Sequence, residues 1–269
     1  MAKAEASKTS LIEKIVPVLI VLSIGLAFMV GVLWQRVSNL EKGGVIPTTT
    51  TTGTQQPAKP TVSIETIKGL FSKDLLKFGD ENRKVLFVEI ADPSCPYCHA
   101  ADGANNQIYK SLGDTFKLKA DGGSYIAPVT EMKKLVDAGQ ASYTYIYYPG
   151  HGSGEMGMKA LYCAQEKGKF WEARDLIMSD AGYTLMNTTV QNDKTKSQVV
   201  ADFIKSAVDS TFIKSCLDSG KYDTRLTSDS ALAVELGVRG TPGFFVNATS
   251  FPGAYNYTGM EEAVKAALK

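Results

Sequence analysis

Lys84-Val-Leu-Phe-Val-Glu89-Ile-Ala-Asp92-Pro-Ser-Cys95-Pro-Tyr-Cys98-His99 is the stretch on which the fold turns. Lys84 to Ala91 is a short β-branched and aromatic run with one interior charge, the pattern of a central strand covered on both faces. A CxxC follows directly and opens a helical stretch, which puts Cys95 at a helix N-terminus. Unpaired backbone N–H groups and the helix dipole favour a thiolate at such a position. At a pH above the ordinary thiol range, a depression of two pKa units would stabilise the dithiol over the disulfide by roughly 3 kcal/mol. Cys98, one turn further in, is expected to be less exposed and to resolve a mixed disulfide. Pro96 and Tyr97 set the spacing between the two. Glu89, six residues before Cys95, has two possible fates. Strand alternation can turn it to solvent, or it faces Cys98 and exchanges a proton with that thiol.

Other chemistries compete for the same residues. A structural zinc site needs about four ligands, and neither Cys163 nor Cys216 belongs to a second CxxC, so no metal is expected. Cys95-Pro-Tyr-Cys98-His99 is also literally CxxCH, the attachment signature of a c-type haem. Taken alone the pentapeptide leans to haem; the strand before it and a second motif near residue 242 argue against it. A membrane-tethered cytochrome therefore stands as the alternative of another class.

Working outward, Ile64, Ile67, Phe71 and Leu75 recur at helical spacing, which predicts a helix to about Phe78, ended by Gly79 and Asp80. Ala141 to Tyr148 is a second strand candidate that stops at Pro149. Glu155 to Leu236 is helical in pattern. Gly243 to Asn247 and Ala254 to Tyr257 are expected as strands, and Met260 to Leu268 as a helix. Strands and helices alternate at both ends around a helical middle, so an α/β sheet with a helical insertion is predicted.

The N-terminal part has a different composition. Ile15 to Trp34 contains no charge over twenty residues, long enough to span a bilayer as one helix. A cleaved signal peptide would have a shorter apolar core of about 7–15 residues and a small-residue cleavage site. An uncleaved anchor over residues 15–35 is therefore expected, after a short tail, 1–14. Lys3, Lys8 and Lys14 precede it and Arg36 and Lys42 follow, a slight bias towards a cytoplasmic N-terminus. Residues 36–62, with five consecutive threonines and three prolines, read as a linker. Residues 63–269 then form the folded domain, with the insertion at about 153–222. Lys plus Arg number 29 and Asp plus Glu 28, so no basic excess points to nucleic acid.

Together, CPYC after a strand, Glu89 upstream, and Gly237-Val-Arg-Gly-Thr241-Pro242-Gly-Phe-Phe-Val-Asn247 downstream resemble the DsbA-like thiol:disulfide oxidoreductases of the thioredoxin superfamily. Tyr162 to Glu172 is similar to their inserted helical domain. The resemblance implies a thioredoxin-like fold with a helical insertion, a Cys95–Cys98 redox disulfide, and a cis Pro242 packed against it, with Thr241 offering its backbone to a substrate peptide. It implies no cofactor. Substrates would be reduced exported proteins, and a quinone-linked membrane protein of the DsbB or vitamin K epoxide reductase type would reoxidise the pair. The catalytic domain would lie on the periplasmic or extracellular side of the cell membrane. CPYC and a Thr before the cis Pro also occur in reductases and isomerases, which remain the alternative direction of electron flow. Outside the cytosol, Cys163 and Cys216 are expected to pair, closing a loop worth about 4 kcal/mol.

Weaker signals are discounted. Gly152-Ser-Gly154-Glu-Met-Gly157 matches a dinucleotide fingerprint, but no βαβ series surrounds it, and a flexible hinge into the insertion is expected. His151 is expected to be solvated or to cap the loop. Asn187, Asn247 and Asn256 each begin an N-x-Thr sequon.

Overall fold

A computed structural model describes residues 62–269. The expected tail and anchor, and nearly all of the linker, lie outside the described residues. Among the described residues no helix is long and apolar enough to cross a membrane. The chain runs through α1 (Ile64–Ser72), β1 (Leu76–Phe78), β2 (Val85–Ala91), α2 (Pro96–Asp102), α3 (Asn106–Leu112), α4 (Pro128–Asp137) and β3 (Ala141–Tyr147). The insertion contributes α5 (Glu155–Gln165), α6 (Phe170–Ile177), α7 (Asp180–Thr184), α8 (Ser197–Phe203) and α9 (Ser210–Asp218). Finally α10 (Asp223–Glu235), β4 (Gly243–Val246), β5 (Thr249–Pro252) and α11 (Glu261–Leu268) return to the sheet.

The strands form one sheet in the order β1-β3-β2-β4-β5. β2 and β3 are parallel, with Glu89 opposite Tyr145, and the other pairings are antiparallel. Every residue of β2 is buried, because both faces are covered. Leu86, Val88 and Ile90 pack with Ile67 and Leu70 of α1 and Leu232 of α10. Each such side chain stabilises the fold by about 1.5–3 kcal/mol. Val85, Phe87 and Ala91 pack on the other face with Cys95, Cys98 and the insertion. Period-two alternation puts Glu89 on that second face. The solvated fate open to it from sequence is therefore excluded.

Two expected elements differ from the structure. The first helix ends at Ser72, where the Lys77 ammonium donates to the Phe71 and Lys73 carbonyls. Leu76 to Phe78 instead form β1, which pairs with β3 and satisfies its outer backbone groups. The apolar run was too short to separate helix from strand by periodicity. The last strand is Thr249–Pro252 and not Ala254–Tyr257, because a two-residue turn, Asn247-Ala248, joins it to β4. Asn247 takes φ 50° there, and its side chain accepts from Leu86 N and donates to the Lys84 carbonyl.

Candidate active site

β2 delivers the chain into a turn organised by Asp92. This fully buried carboxylate accepts Ser94 N (2.8 Å) and Ser94 Oγ (2.7 Å) on Oδ1, and His151 N (2.7 Å) on Oδ2. It thereby ties the loop before Cys95 to the loop that leaves β3. A Cβ at Gly154 would collide with Asp92 Oδ1. Gly154 thus permits a close approach to Asp92, and backbone hydrogen bonds from His151 and Gly152 to that carboxylate hold the segment read from sequence as a hinge into the insertion. His151 contributes its backbone N–H to it. Asp92 escaped the sequence reading, although an Asp-Pro between a strand and a helix start is a turn signal.

Cys95 caps α2, with Pro96 in its first turn. The backbone N–H groups of Cys98 and His99 donate to the Cys95 carbonyl (3.0 and 3.2 Å). Cys95 Sγ lies 3.4 Å from the carbonyl oxygen of Thr241, and the Thr241–Pro242 peptide is cis. Hydrogen bonding from the Cys98 thiol, and then from the backbone of Cys98 and Tyr97, outweighs burial and lowers the Cys95 pKa to about 6. Cys98 moves the other way. Burial first, and then its bond to Cys95, push its pKa well above the ordinary range. Tyr97 stands exposed beside the pair, its ring 5.8 Å from that of Phe116. A cavity of about 620 Å³ flanks Thr241 and Pro242, walled by Leu236, Val238, Phe245 and Pro252.

Beneath Cys98 lies a group of charges that sequence reasoning saw only in part. Glu89 is fully buried and accepts Arg174 Nη2 (2.9 Å) and the Tyr143 hydroxyl. Arg174, 1% exposed, also donates through Nε to Asp102 (2.6 Å) and through Nη1 to Tyr143 (2.7 Å). Its guanidinium carbon lies 4.8 Å from the Tyr145 ring centroid. Burial raises the pKa values of Glu89 and Asp102, although the guanidinium pulls both down. Arg174 belongs to the insertion, so the insertion is fastened to the core by buried ion pairs. The available signal was its spacing: Phe170, Ala173, Arg174 and Ile177 share one buried helical stripe. Glu89 has no hydrogen bond to Cys98, but its charge acts on that thiol.

The histidine of CxxCH is occupied. His99 is fully buried with Nδ1 2.8 Å from the Met178 carbonyl oxygen and Nε2 2.9 Å from that of Pro93. It would have to leave the Pro93 contact to serve as an axial ligand through Nε2, and Cys98, with no exposure, does not present its sulfur to a porphyrin edge. Cys163 and Cys216 form a disulfide between α5 and α9. Glu166 lies beside them within metal-ligand reach, but both sulfurs are spent in the bond. Of the sequon asparagines, Asn187 donates to the Ser94 and Tyr183 carbonyls and Asn256 donates to that of Ser124, so with Asn247 all three serve local structure.

Residues 127–266, more than half of the chain, match a family model described as thioredoxin. The matched stretch holds β3, the insertion and Thr241–Pro242, and begins after the Cys95–Cys98 loop. The Salinispora tropica protein named Na(+)/H(+) antiporter NhaA 3 is 25% identical over 193 residues, 71% of this chain and 24% of that protein. The chain thus spans about a quarter of that relative's length. Among solved structures, alpha-DsbA1 of Wolbachia pipientis superposes with a TM-score of 0.53 at 16% identity, covering 72% of this chain and 91% of the other. The thiol-disulfide exchange protein alpha-DsbA2 of the same organism gives 0.52 at 18%, covering 76% and 92%. At these identities the likeness speaks for the fold, a thioredoxin-like sheet with a helical insertion.

Proposed function

From the premise that this chain belongs to the thioredoxin family, we propose that it is a protein dithiol–disulfide oxidoreductase that forms disulfides in exported proteins through Cys95 and Cys98. The observation that carries this is geometric: Cys95 caps the N-terminus of α2 with its Sγ 3.4 Å from the Thr241 carbonyl oxygen, while Cys98 lies one turn on with no exposure. A substrate thiolate attacks Cys95 Sγ, the Cys95–Cys98 bond breaks, and its electron pair leaves on Cys98, which takes up a proton. Because the Cys98 pKa is high, little of it is thiolate at neutral pH, and it returns slowly to the mixed disulfide. A second substrate thiolate then attacks the substrate sulfur. Cys95 departs as a thiolate, and a sulfur with a pKa of about 6 is a good leaving group. The substrate leaves oxidised and the enzyme reduced.

The magnitude favours the same direction. Relative to an ordinary thiol at 9.0, a pKa of about 6 stabilises the dithiol at pH 7 by roughly 1.4 kcal/mol, or about 30 mV. The Thr241 backbone beside Cys95 is suited to pair with an extended peptide, and the adjacent cavity to take its apolar side chains. The uncharged run at 15–34 and the Thr/Pro-rich segment after it support a membrane tether, with the domain acting on the periplasmic or extracellular side. Such a tether would hold the domain near a quinone-linked membrane oxidant and raise their effective concentration.

The test is a trapping experiment with full-length Cys98→Ala. Exported proteins should accumulate as mixed disulfides on Cys95, and the wild-type pair should be mostly oxidised in cells. Absence of adducts on a folded, membrane-associated variant would refute the substrate role. A wild-type pair found mostly reduced would reverse the direction to that of a reductase or isomerase.

A further inference from the structure

The cavity of about 620 Å³ beside the cis-Pro loop opens on the face of β4 and β5 that lies away from Cys98 and the insertion. Phe245 points to this face and packs with Leu236 and Val238, whereas Phe244 and Val246 pack on the other. Its walls are tied together by hydrogen bonds. Gly253 N donates to the Pro242 carbonyl (2.8 Å), which fastens the end of β5 to the cis-Pro loop. Arg239 Nη1 donates to the carbonyls of Val234 (2.8 Å) and Val238 (3.1 Å), which fastens the same loop to the last turn of α10. A Cβ at Gly243 would stand 3.0 Å from Val238 Cγ1, so glycine there lets that wall close on β4.

Two features say what the cavity accepts. The first is charge. Among the described residues that line it there is no acidic side chain, and Arg239 is the one charged group. Arg239 is exposed, and among the described residues no carboxylate pairs with it. The second is continuity with the exchange site. Thr241 and Pro242 line the cavity, and the Thr241 carbonyl oxygen lies 3.4 Å from Cys95 Sγ. We propose that this cavity selects substrate segments in which an apolar residue adjoins the reacting cysteine and an acidic residue stands about three places from it. The apolar side chain enters between Leu236, Val238 and Phe245, and the carboxylate meets the Arg239 guanidinium. An extended chain advances about 3.3 Å per residue, so a segment paired with the Thr241 backbone spans from Cys95 to the Arg239 rim within a few residues. The guanidinium fork matches a carboxylate, and an exposed pair of this kind steers and selects more than it adds affinity. The assignment deepens the proposed function and rests on Cys95 being the sulfur that substrate attacks.

The experiment follows the oxidised full chain with excess peptides of one cysteine. The peptide thiolate attacks Cys95 Sγ, the Cys95–Cys98 bond breaks and its electron pair leaves on Cys98. Each peptide carries leucine beside the cysteine and Glu or Lys three residues away, N-terminal in one pair and C-terminal in the other. Each rate is divided by that with dithiothreitol, an uncharged thiol too small to span from Cys95 to the cavity. In one of the two pairs the Glu peptide should react at least about threefold faster than the Lys peptide at low salt, and the difference should shrink at high salt. Arg239→Gln should abolish this preference and Arg239→Glu invert it. Serine in place of leucine should slow both peptides, and a benzophenone side chain there should crosslink to Leu236, Val238 or Phe245. Equal Glu and Lys rates in both pairs, a preference that Arg239→Gln leaves unchanged, or crosslinks confined to Tyr97 and Phe116 would overturn the assignment. So would a wild type that dimerises over this face and excludes the peptides. Wild type that reacts at Cys95 with neither dithiothreitol nor any peptide would remove the proposed function along with it, whereas reaction with dithiothreitol alone overturns the peptide site. Should the Arg239 variants fail to fold, the wild-type rate ratio and crosslinks decide.

Discussion

Arg174→Met removes the buried charge while keeping an unbranched apolar side chain in the stripe of α6. The wild-type guanidinium, 1% exposed, donates to Glu89, Asp102 and Tyr143. Removing one partner from a buried ion pair destabilises by about 3–5 kcal/mol, because the remaining charge loses its compensation. Against a total of about 5–15 kcal/mol for a domain, the variant should fold with a much lower denaturation midpoint. The loss should depend on pH, with a definite sign. Burial already raises Glu89 and Asp102 above their ordinary values, and the guanidinium is the main influence holding them down. Without it their folded pKa values rise further. A carboxyl whose folded pKa exceeds its unfolded one stabilises at low pH, and this contribution is lost as pH rises through the folded pKa. The variant should therefore lie closest to wild type near pH 5 and fall behind towards pH 8, by up to about 1.4 kcal/mol per pH unit for each carboxyl that titrates. Urea unfolding at the two pH values, followed by Trp171 fluorescence, measures this. A loss under about 1 kcal/mol, or one equal at both pH values, would refute the view that Arg174 holds these carboxylates in the core.

Further outcomes follow from the same geometry. Thiolate absorbance of reduced wild type should titrate with a midpoint of about 6, and Cys98→Ala should move it upward; an unmoved midpoint in Cys98→Ala would exclude the Cys98 thiol as the main donor. The double variant Cys163→Ser, Cys216→Ser opens a loop of 53 residues and should lose about 4 kcal/mol while its Cys95–Cys98 pair still exchanges with glutathione, so loss of exchange in a folded double variant would contradict a purely structural bond. Gly150→Ala places a methyl against Thr241 Oγ1 and should slow mixed-disulfide formation with peptides more than with glutathione, which does not need the cis-Pro loop; equal slowing of both would contradict this.

The fold was legible where pattern and chemistry coincide. The apolar run before CPYC has the pattern of a central strand, and the cysteine at its end is placed where a helix begins, as the structure has them. Thr241–Pro242 was recognised as a motif and lies over Cys95 in space, although 146 residues separate the two. Arg174 and Asp102 were not found, because a charge in a helical stretch reads as solvated until the opposing strand is known to carry a buried acid. Glu89 was noticed for the complementary reason: a lone charge among strand apolars demands a partner, but sequence does not say which. Asp92 was hidden by its ordinariness as a turn residue. β1 and β5 were misplaced because short strands are fixed by their neighbours, Tyr143 and Tyr145 for one and the Asn247 turn for the other, more than by their own residues.

The central claim is that Cys95–Cys98 transfers its disulfide to protein thiols with Cys95 as the attacked sulfur. The most direct measurement mixes oxidised protein with an equimolar reduced, unfolded protein containing two cysteines and counts both disulfides over time. One substrate disulfide should form for each Cys95–Cys98 bond lost, through an adduct on Cys95, with no transfer by Cys95→Ser. Substrate that stays reduced while Cys95–Cys98 stays oxidised, or transfer that survives Cys95→Ser, would contradict the account.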